Sequence, residues 1–224
     1  VTAPISIVIP TLNSDGNLPA TLAALMEGLH AGLIRELIVS DGGSADQTIK
    51  IADEAGAEIV AGPPSRGGQL ARGCAAAKGD WLLVLHADTV LQAGWSKAVG
   101  DHLGTGTPAA FRLAFRASGF APTWVAGWAN LRSRLFGLPY GDQGLLVPSE
   151  MYRKAGGFPD QPLMEDVALV RSLRGITLLP SRAVTSADRY ERAGWLRRGG
   201  RNLWTLTRYF LGADPAKLAQ DYRL

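Results

Sequence analysis

Between Ile5 and Leu85 the chain alternates short apolar runs with stretches of helical periodicity, and each run stops at polar or turn-forming residues. Strands that are apolar throughout and separated by helices need cover on both faces, and a parallel sheet with helices packed on each side supplies it. Ile5 to Ile9 is the first run and ends at Pro10; Leu18, Leu22, Leu25, Met26 and Leu29 then recur at helical spacing. Leu37 to Val39 predicts a second strand, closed by Asp41-Gly42-Gly43, and Ser44-Ala45-Asp46-Gln47 has the spacing of a capping box that opens the next helix. Ile59 and Val60 mark a third strand, Arg66 to Lys78 a Gly- and Ala-rich helix with its leading loop, and Trp81 to Leu85 a fourth strand. The expected fold class is therefore α/β: a Rossmann-like, mostly parallel sheet with helices on both faces.

The second half is less regular. Phe111, Leu113 and Phe115 alternate as in a half-buried strand, and Trp124, Trp128, Leu131 and Leu135 fall on one face of a helix, which we expect to face the core. Gly144 to Val147 and Ile176 to Leu179 read as strands, Ser149 to Ala155 as a helix stopped by Gly156-Gly157, and Val167 to Arg174 as another helix.

The 224 residues, 46% hydrophobic, suffice for one substantial core. We expect one domain over residues 1–186, with halves of about 1–105 and 106–186, and a helical segment over 187–224 packed on it. The net charge of +3 forms no stripe along a duplex, so no nucleic-acid partner is expected. Cys74 is the lone cysteine, which excludes an internal disulfide or a thiolate zinc site and suits a reducing compartment. Ile5 to Ile9 follows no basic or long apolar lead, so no signal peptide is expected, and no run approaches the ~20 apolar residues of a membrane span; a cytoplasmic location is therefore expected. Arg189 to Arg208 interleaves arginines with Trp195, Leu203, Trp204 and Leu206. Such a segment either rests on an anionic membrane, as a peripheral contact, or packs on the domain with its arginines solvated, and the second is the expected arrangement.

Chemistry concentrates where strands end, since sheets of this kind bind ligands at their carboxyl ends. Asp41, followed by small residues, suits either a nucleotide contact or an ordinary turn opening on Asp. His86-Ala87-Asp88 follows the most hydrophobic run; a hard divalent cation needs only one or two carboxylates when substrate phosphates and water complete its shell, so Asp88 alone can serve. Arg66-Gly67-Gly68-Gln69 places a guanidinium and an amide beside flexible backbone, fit to clamp an oxyanion or to lie solvated at a helix start. Gly141-Asp142-Gln143 and Met164-Glu165-Asp166 add three carboxylates; of the adjacent pair, one can serve as a base while Arg171 or Arg174 holds the other. No Walker A loop or GxGxxG follows the first strand, which argues against kinases and nicotinamide enzymes.

In order along the chain, ISIVIPTLN (Ile5 to Asn13), VSDGGSADQT (Val39 to Thr48), GDWLLVLHADT (Gly79 to Thr89) and the segment Gly156 to Arg174 resemble the inverting glycosyltransferases of family 2, which have the GT-A fold. LHADT, PYGDQG and GGFPDQPLMEDVAL look like those of a bacterial subgroup of small family 2 enzymes. The resemblance implies transfer of a sugar from a nucleoside-diphosphate donor, probed first as UDP-linked, to an acceptor hydroxyl, with Mn2+ or Mg2+ as cofactor. It implies that Thr11 and Asp41 hold the nucleobase, that Arg66 contacts base or diphosphate, and that Pro10, Asn13, Gln69 and Ala87 belong to the donor site. Asp88 matches the last acid of the DxD element and is the implied metal ligand, whereas His86 departs from its first acid. Asp166 matches the general base, Glu165 is the alternative base, and Asp142 and Gln143 are expected at the sugar or acceptor. Two further readings are a non-catalytic nucleotide-sugar-binding or membrane-associated accessory protein and a sugar nucleotidyltransferase. The latter is expected to carry a Gly-rich, Lys- or Arg-bearing loop where Thr11-Leu12-Asn13-Ser14 stands.

Overall fold

The structure, a computed structural model, describes residues 3–223. The order is β1 (Ile5–Thr11), α1 (Leu18–His30), β2 (Ile34–Asp41), α2 (Thr48–Glu54), β3 (Glu58–Ala61), α3 (Arg66–Ala76), β4 (Trp81–Val84), β5 (Thr89–Leu91), α4 (Trp95–Leu103), β6 (Ala109–Phe115) and α5 (Phe120–Phe136). A 3-10 turn over Gly141–Gln143 follows, then β7 (Leu145–Pro148), α6 (Ser149–Lys154), α7 (Glu165–Ser172), β8 (Thr177–Thr185), α8 (Asp188–Ala193), α9 (Trp195–Phe210) and α10 (Pro215–Arg223). Among these residues no helix is long and apolar enough to cross a membrane.

The strands form one sheet in the order β3-β2-β1-β4-β7-β6-β8-β5. β3, β2, β1 and β4 are mutually parallel, β7 is antiparallel to both β4 and β6, and β8 runs parallel to β6. The chain moves from β1 to β2 and β3 on one side, then returns to place β4 on the other. The carboxyl ends of β1 and β4 therefore flank the switch point of the sheet, where Thr11 and the His86-Ala87-Asp88 segment emerge.

Helices cover both faces of the central strands. Ile5, Ile7 and Ile9 point to the side covered by Leu18 and Leu25 of α1 and Trp95 and Val99 of α4, while Val8, Leu82 and Val84 point to Leu70 and Cys74 of α3 and Leu169 and Val170 of α7. Helix α3 lies close on the sheet because Gly73 has no side chain: a Cβ there would sit 2.6 Å from Val8 Cγ1.

Four local expectations are corrected. Ser44 does not open a capping box; its hydroxyl turns back to Asp41, and α2 starts at Thr48 without a side-chain cap. The strand expected at Ile176 to Leu179 runs on to Thr185, because β5 and β6 offer it partners on both edges. Helix α7 begins at Glu165, two residues before the expected Val167, so both acids lie in its first turn. The stripe Trp124, Trp128, Leu131 and Leu135 is not core: these side chains are 46–64% exposed, and α5 instead buries Val125, Ala126 and Ala129. Asn130 sets that rotation. Its Oδ1 accepts from the Leu113 N–H at 2.7 Å and its Nδ2 donates to the Leu113 carbonyl at 3.1 Å, which locks the small-residue face of α5 onto β6.

Candidate functional site

Where β1 and β2 end, Thr11 and Asp41 are register partners. Thr11 Oγ1 donates to Asp41 Oδ1 at 2.9 Å, and the Gly43 and Ser44 N–H groups donate to Oδ2 at 2.7 and 2.8 Å. The Ser44 hydroxyl adds a fourth bond. Burial alone raises the Asp41 pKa, but bonds from Ser44, Thr11 and Gly43 outweigh it and hold the carboxyl below its ordinary value. Asp41 is only 2% exposed, so it anchors this turn and presents the turn's backbone, more than its own oxygens, to the rim. Asn13, with φ of 49°, accepts from the Ala45 N–H at 2.9 Å and ties the β1 loop to the same turn. Pro10 pairs with Ser40 in the sheet, and the buried Ala87 accepts from Thr21 Oγ1 through its carbonyl.

Two expected ligand contacts belong to the framework instead. Gln69 is buried, donates from Nε2 to the carbonyls of Thr11 and Ser40 at 2.7 and 3.0 Å, and accepts from the Ser65 N–H at 3.2 Å. Gln143, fully buried, donates to the Phe111 carbonyl at 3.1 Å and accepts from Ser133 Oγ at 2.7 Å. An amide whose donors and acceptor are all engaged inside the fold has nothing left for a ligand. Gln69→Leu is therefore expected to lower unfolding free energy by about 1–3 kcal/mol, since two buried carbonyls lose their donor. Urea denaturation checks this; a variant of unchanged stability would return Gln69 to the ligand face.

An open cleft lies beside the carboxyl end of β4 at the switch point and is lined by Arg66, His86, Asp88, Tyr140, Asp142 and Asp166, among others. Thr11, Asn13 and Asp41 lie on the same end of the sheet but outside this lining. Asp166 is held by two backbone donors, Gly141 N–H on Oδ2 at 2.8 Å and Val167 N–H on Oδ1 at 2.7 Å. Gly141 fits only as glycine, because a Cβ would lie 2.5 Å from His86 Nε2 and 3.6 Å from Asp166 Oδ2. His86 is held below its ordinary pKa, first by burial and then by the charge of Arg66, which keeps the imidazole neutral near pH 7.

Glu165 is placed differently from its neighbour. It is 2% exposed, is absent from the cleft lining, and receives Arg66 Nε at 3.0 Å. The alternative assignment of Glu165 as base is thus corrected: helical geometry turns adjacent residues about 100° apart, and here one acid faces the cleft while the other faces inward. The partner is Arg66, not Arg171 or Arg174; Arg171 lies over the Phe210 ring at 5.0 Å. Burial, together with the adjacent Asp166, raises the Glu165 pKa, with Arg66 opposing.

Asp142 enters the cleft with a buried Oδ1 that has no hydrogen-bond partner among the described residues. Burial pushes its carboxyl up to about 6, with Arg132 pulling it down and Asp166 and Asp88 pushing it further up. Its ordinary value is 3.8, so the folded state disfavours the charged form. The resulting penalty is absent below about pH 4, grows as pH rises to about 6, and is full above that. Asp142→Asn is expected to stabilise the metal-free protein by about 1–2 kcal/mol at pH 8 and by almost nothing at pH 4. Denaturant titration at both pH values in a chelator reads this; an equal gain at both would disconnect it from ionisation.

Among the described residues no group of three His, Cys, Asp or Glu side chains could hold a metal by itself. The carboxylates present still fit a hard cation of partly external coordination: Asp88 lines the cleft with no side-chain partner among the described residues, and Asp142 Oδ1 is unpaired.

The sequence reading missed the far wall of the cleft, which comes from the C-terminal helices: Arg189, Tyr190, Arg198, Asn202 and Tyr222. Arg198 donates to the Tyr222 hydroxyl at 2.9 Å, that hydroxyl to Asn202 Oδ1 at 2.7 Å, and Asn202 Nδ2 to the Tyr190 hydroxyl at 2.9 Å. Tyr190 stacks on Trp195 with ring centroids 4.9 Å apart. The available signal was the spacing of Arg198, Asn202 and Thr205, a polar stripe along one face of α9, which is informative only once that face is known to point inward.

Comparison with known proteins agrees with this architecture. Uncharacterised glycosyltransferases of Mycobacterium tuberculosis and Mycobacterium bovis are 35% identical over 91 residues, 40% of this chain and 39% of the relative. The match thus spans about two-fifths of the length of these curated relatives. Glucosyl-3-phosphoglycerate synthase from Mycobacterium tuberculosis, solved with Mg2+ and UDP, superposes with a TM-score of 0.56 at 23% identity, covering 81% of this chain and 70% of that one. TarS of S. aureus, residues 1–349, superposes with a TM-score of 0.63 at 14% identity, covering 98% and 70%. These likenesses establish the shared GT-A fold. The family described as Glycosyl transferase family 2 matches residues 6–138, more than half of the sequence, and the chain belongs to that family.

Proposed function

We propose that this protein is an inverting glycosyltransferase that passes a sugar from a nucleoside-diphosphate donor, UDP-linked, to an acceptor hydroxyl, assisted by Mg2+ or Mn2+. The observation that carries this reading is the cleft at the carboxyl ends of the strands, whose lining joins Asp88, without a side-chain partner among the described residues, to an Asp166 fixed by two backbone donors. In this reading the nucleoside lies along the rim of Pro10, Thr11, Asn13 and Asp41, beside Ala87. A nucleobase N–H gains an Asp41 oxygen by displacing the Ser44 hydroxyl. Arg66 lines the cleft and offers positive charge to the diphosphate even while paired with Glu165.

A cation held by Asp88, when bound, would neutralise the charge growing on the departing diphosphate. Asp166 takes the proton of the acceptor hydroxyl as its oxygen attacks the anomeric carbon from the face opposite the leaving group. The new carbon–oxygen bond forms as the bond to the diphosphate breaks, so the anomeric centre inverts. Asp142 is assigned to the sugar or acceptor. Residues 1–186 are the transferase domain and the helices after it complete the cleft.

Support for UDP as the first nucleotide to test comes from the mycobacterial synthase, solved with UDP and Mg2+, with UDP and Mn2+, and with UDP-glucose and Mn2+. Calorimetric titration with UDP, GDP and their sugar conjugates, with each metal and with chelator, tests the proposal. Metal-dependent binding of one nucleotide sugar, followed by its turnover, supports it. Donor binding without transfer or hydrolysis makes the chain an accessory module; no binding across the panel removes the donor site altogether.

A further inference from the structure

We propose that the outer faces of α5 and α9 form a docking surface for an anionic lipid bilayer. Helix α9 turns most of its bulky apolar side chains outward: Leu203, Trp204 and Phe210, and Leu211 just after it, are exposed, with Trp204 at 62%, while Leu206 is buried and Arg198 and Asn202 point to the cleft. Its neighbour α5 does the same, burying alanines and exposing Trp124, Trp128 and Leu135. The two helices touch, and Trp195 at the start of α9 packs into the cluster containing Val125, Ala126 and Ala129 of α5. Large exposed apolar side chains concentrated on two adjacent helices signal a partner, because scattered single residues are the norm elsewhere on a protein surface.

Charge selects the occupant. Helix α5 carries Arg132 and Arg134 and helix α9 carries Arg197, Arg198, Arg201 and Arg208, with no Asp or Glu on either helix; Arg198 faces the cleft and Arg208 pairs with Asp221 of α10 at 2.6 Å, whereas Arg134 and Arg197 are exposed. A second copy of the same face would bring arginines together with no carboxylate on either helix to pair them. Anionic headgroups satisfy exposed arginines such as Arg134 and Arg197, while Trp side chains suit the interface between headgroups and acyl chains. The inference does not depend on the donor assignment, since binding is read without any sugar nucleotide.

Co-sedimentation of the full chain with vesicles tests it. The protein is expected to pellet with phosphatidylcholine vesicles containing about one-third phosphatidylglycerol and to bind phosphatidylcholine alone about tenfold more weakly. Trp204→Asp and Trp128→Asp, each at an exposed position, are expected to weaken binding to the anionic vesicles at least about tenfold while far-UV circular dichroism stays unchanged. In the unmodified protein, brominated lipid is expected to quench Trp emission, a readout that needs no variant. Failure of the unmodified protein to bind either vesicle, or full binding by both variants, overturns the proposal. So does a dimer by light scattering that Trp204→Asp converts to monomer without any vesicle binding by the parent, which would assign the face to a second copy.

Discussion

Asp166→Asn is expected to slow donor turnover by about 10³-fold while leaving the dissociation constant for the nucleotide sugar within about twofold of the parent. The substitution keeps the shape of the side chain, and one of its two anchors, from Gly141 or Val167, can still be accepted by the amide oxygen. What disappears is the capacity to take a proton. Nucleoside diphosphate release measures turnover, with water or an added alcohol as acceptor, and calorimetry measures binding. Retention of full turnover would remove Asp166 from the base role. The next acid to examine would be Asp142, because Glu165 faces Arg66 instead of the cleft.

The second large effect falls on the donor side. Asp88→Ala is expected to abolish the metal-stimulated part of donor binding and to lower turnover by about 10²- to 10³-fold, the scale of losing one electrostatic contact to developing charge. His86 replaces the first acid of the usual pair, and an imidazole, whether neutral or protonated, supplies no second negative charge. Dependence on one carboxylate should be steep for that reason. Titrating Mn2+ against the parent and variant in the presence of UDP reads the difference. Equal metal stimulation in both proteins would move the cation to other ligands, Asp142 first, since it lines the same cleft with an Oδ1 that has no partner among the described residues.

The two experiments separate donor-side from acceptor-side failure, and the Asp142→Asn pH series adds a third axis. A group left buried, unpaired and raised to about 6 weakens the metal-free fold near neutrality. Cavities that await a cation or a polar substrate commonly carry such groups, and removing them raises stability at the expense of function.

Much of this was legible from residue order. The four parallel strands of the first half, their polar ends and the relation between Asp88 and the switch point follow from apolar runs too short for helices and too apolar for a one-faced sheet. Asp166 was identifiable as a candidate through its motif. Its separation from Glu165 was not, since adjacent acids look alike until the start of α7 fixes which way each points. Helix α4 also went unseen: Trp95 and Val99 are its only buried side chains, too few to show a period.

What the sequence determined by itself is the set of local preferences: alternation of strand and helix, glycine where Asp41 turns, and carboxylates at strand ends. Only the tertiary structure decided orientation. Helix α5 carries a bulky and a small-residue stripe and α9 an apolar and a polar one, and periodicity does not say which stripe faces inward. For α5 the choice rests on Asn130 completing the hydrogen bonds of Leu113, and for α9 on the polar network of Arg198, Asn202 and Tyr222 at the cleft. Buried polar groups must be paired, and satisfying them turned the bulky faces of both helices outward.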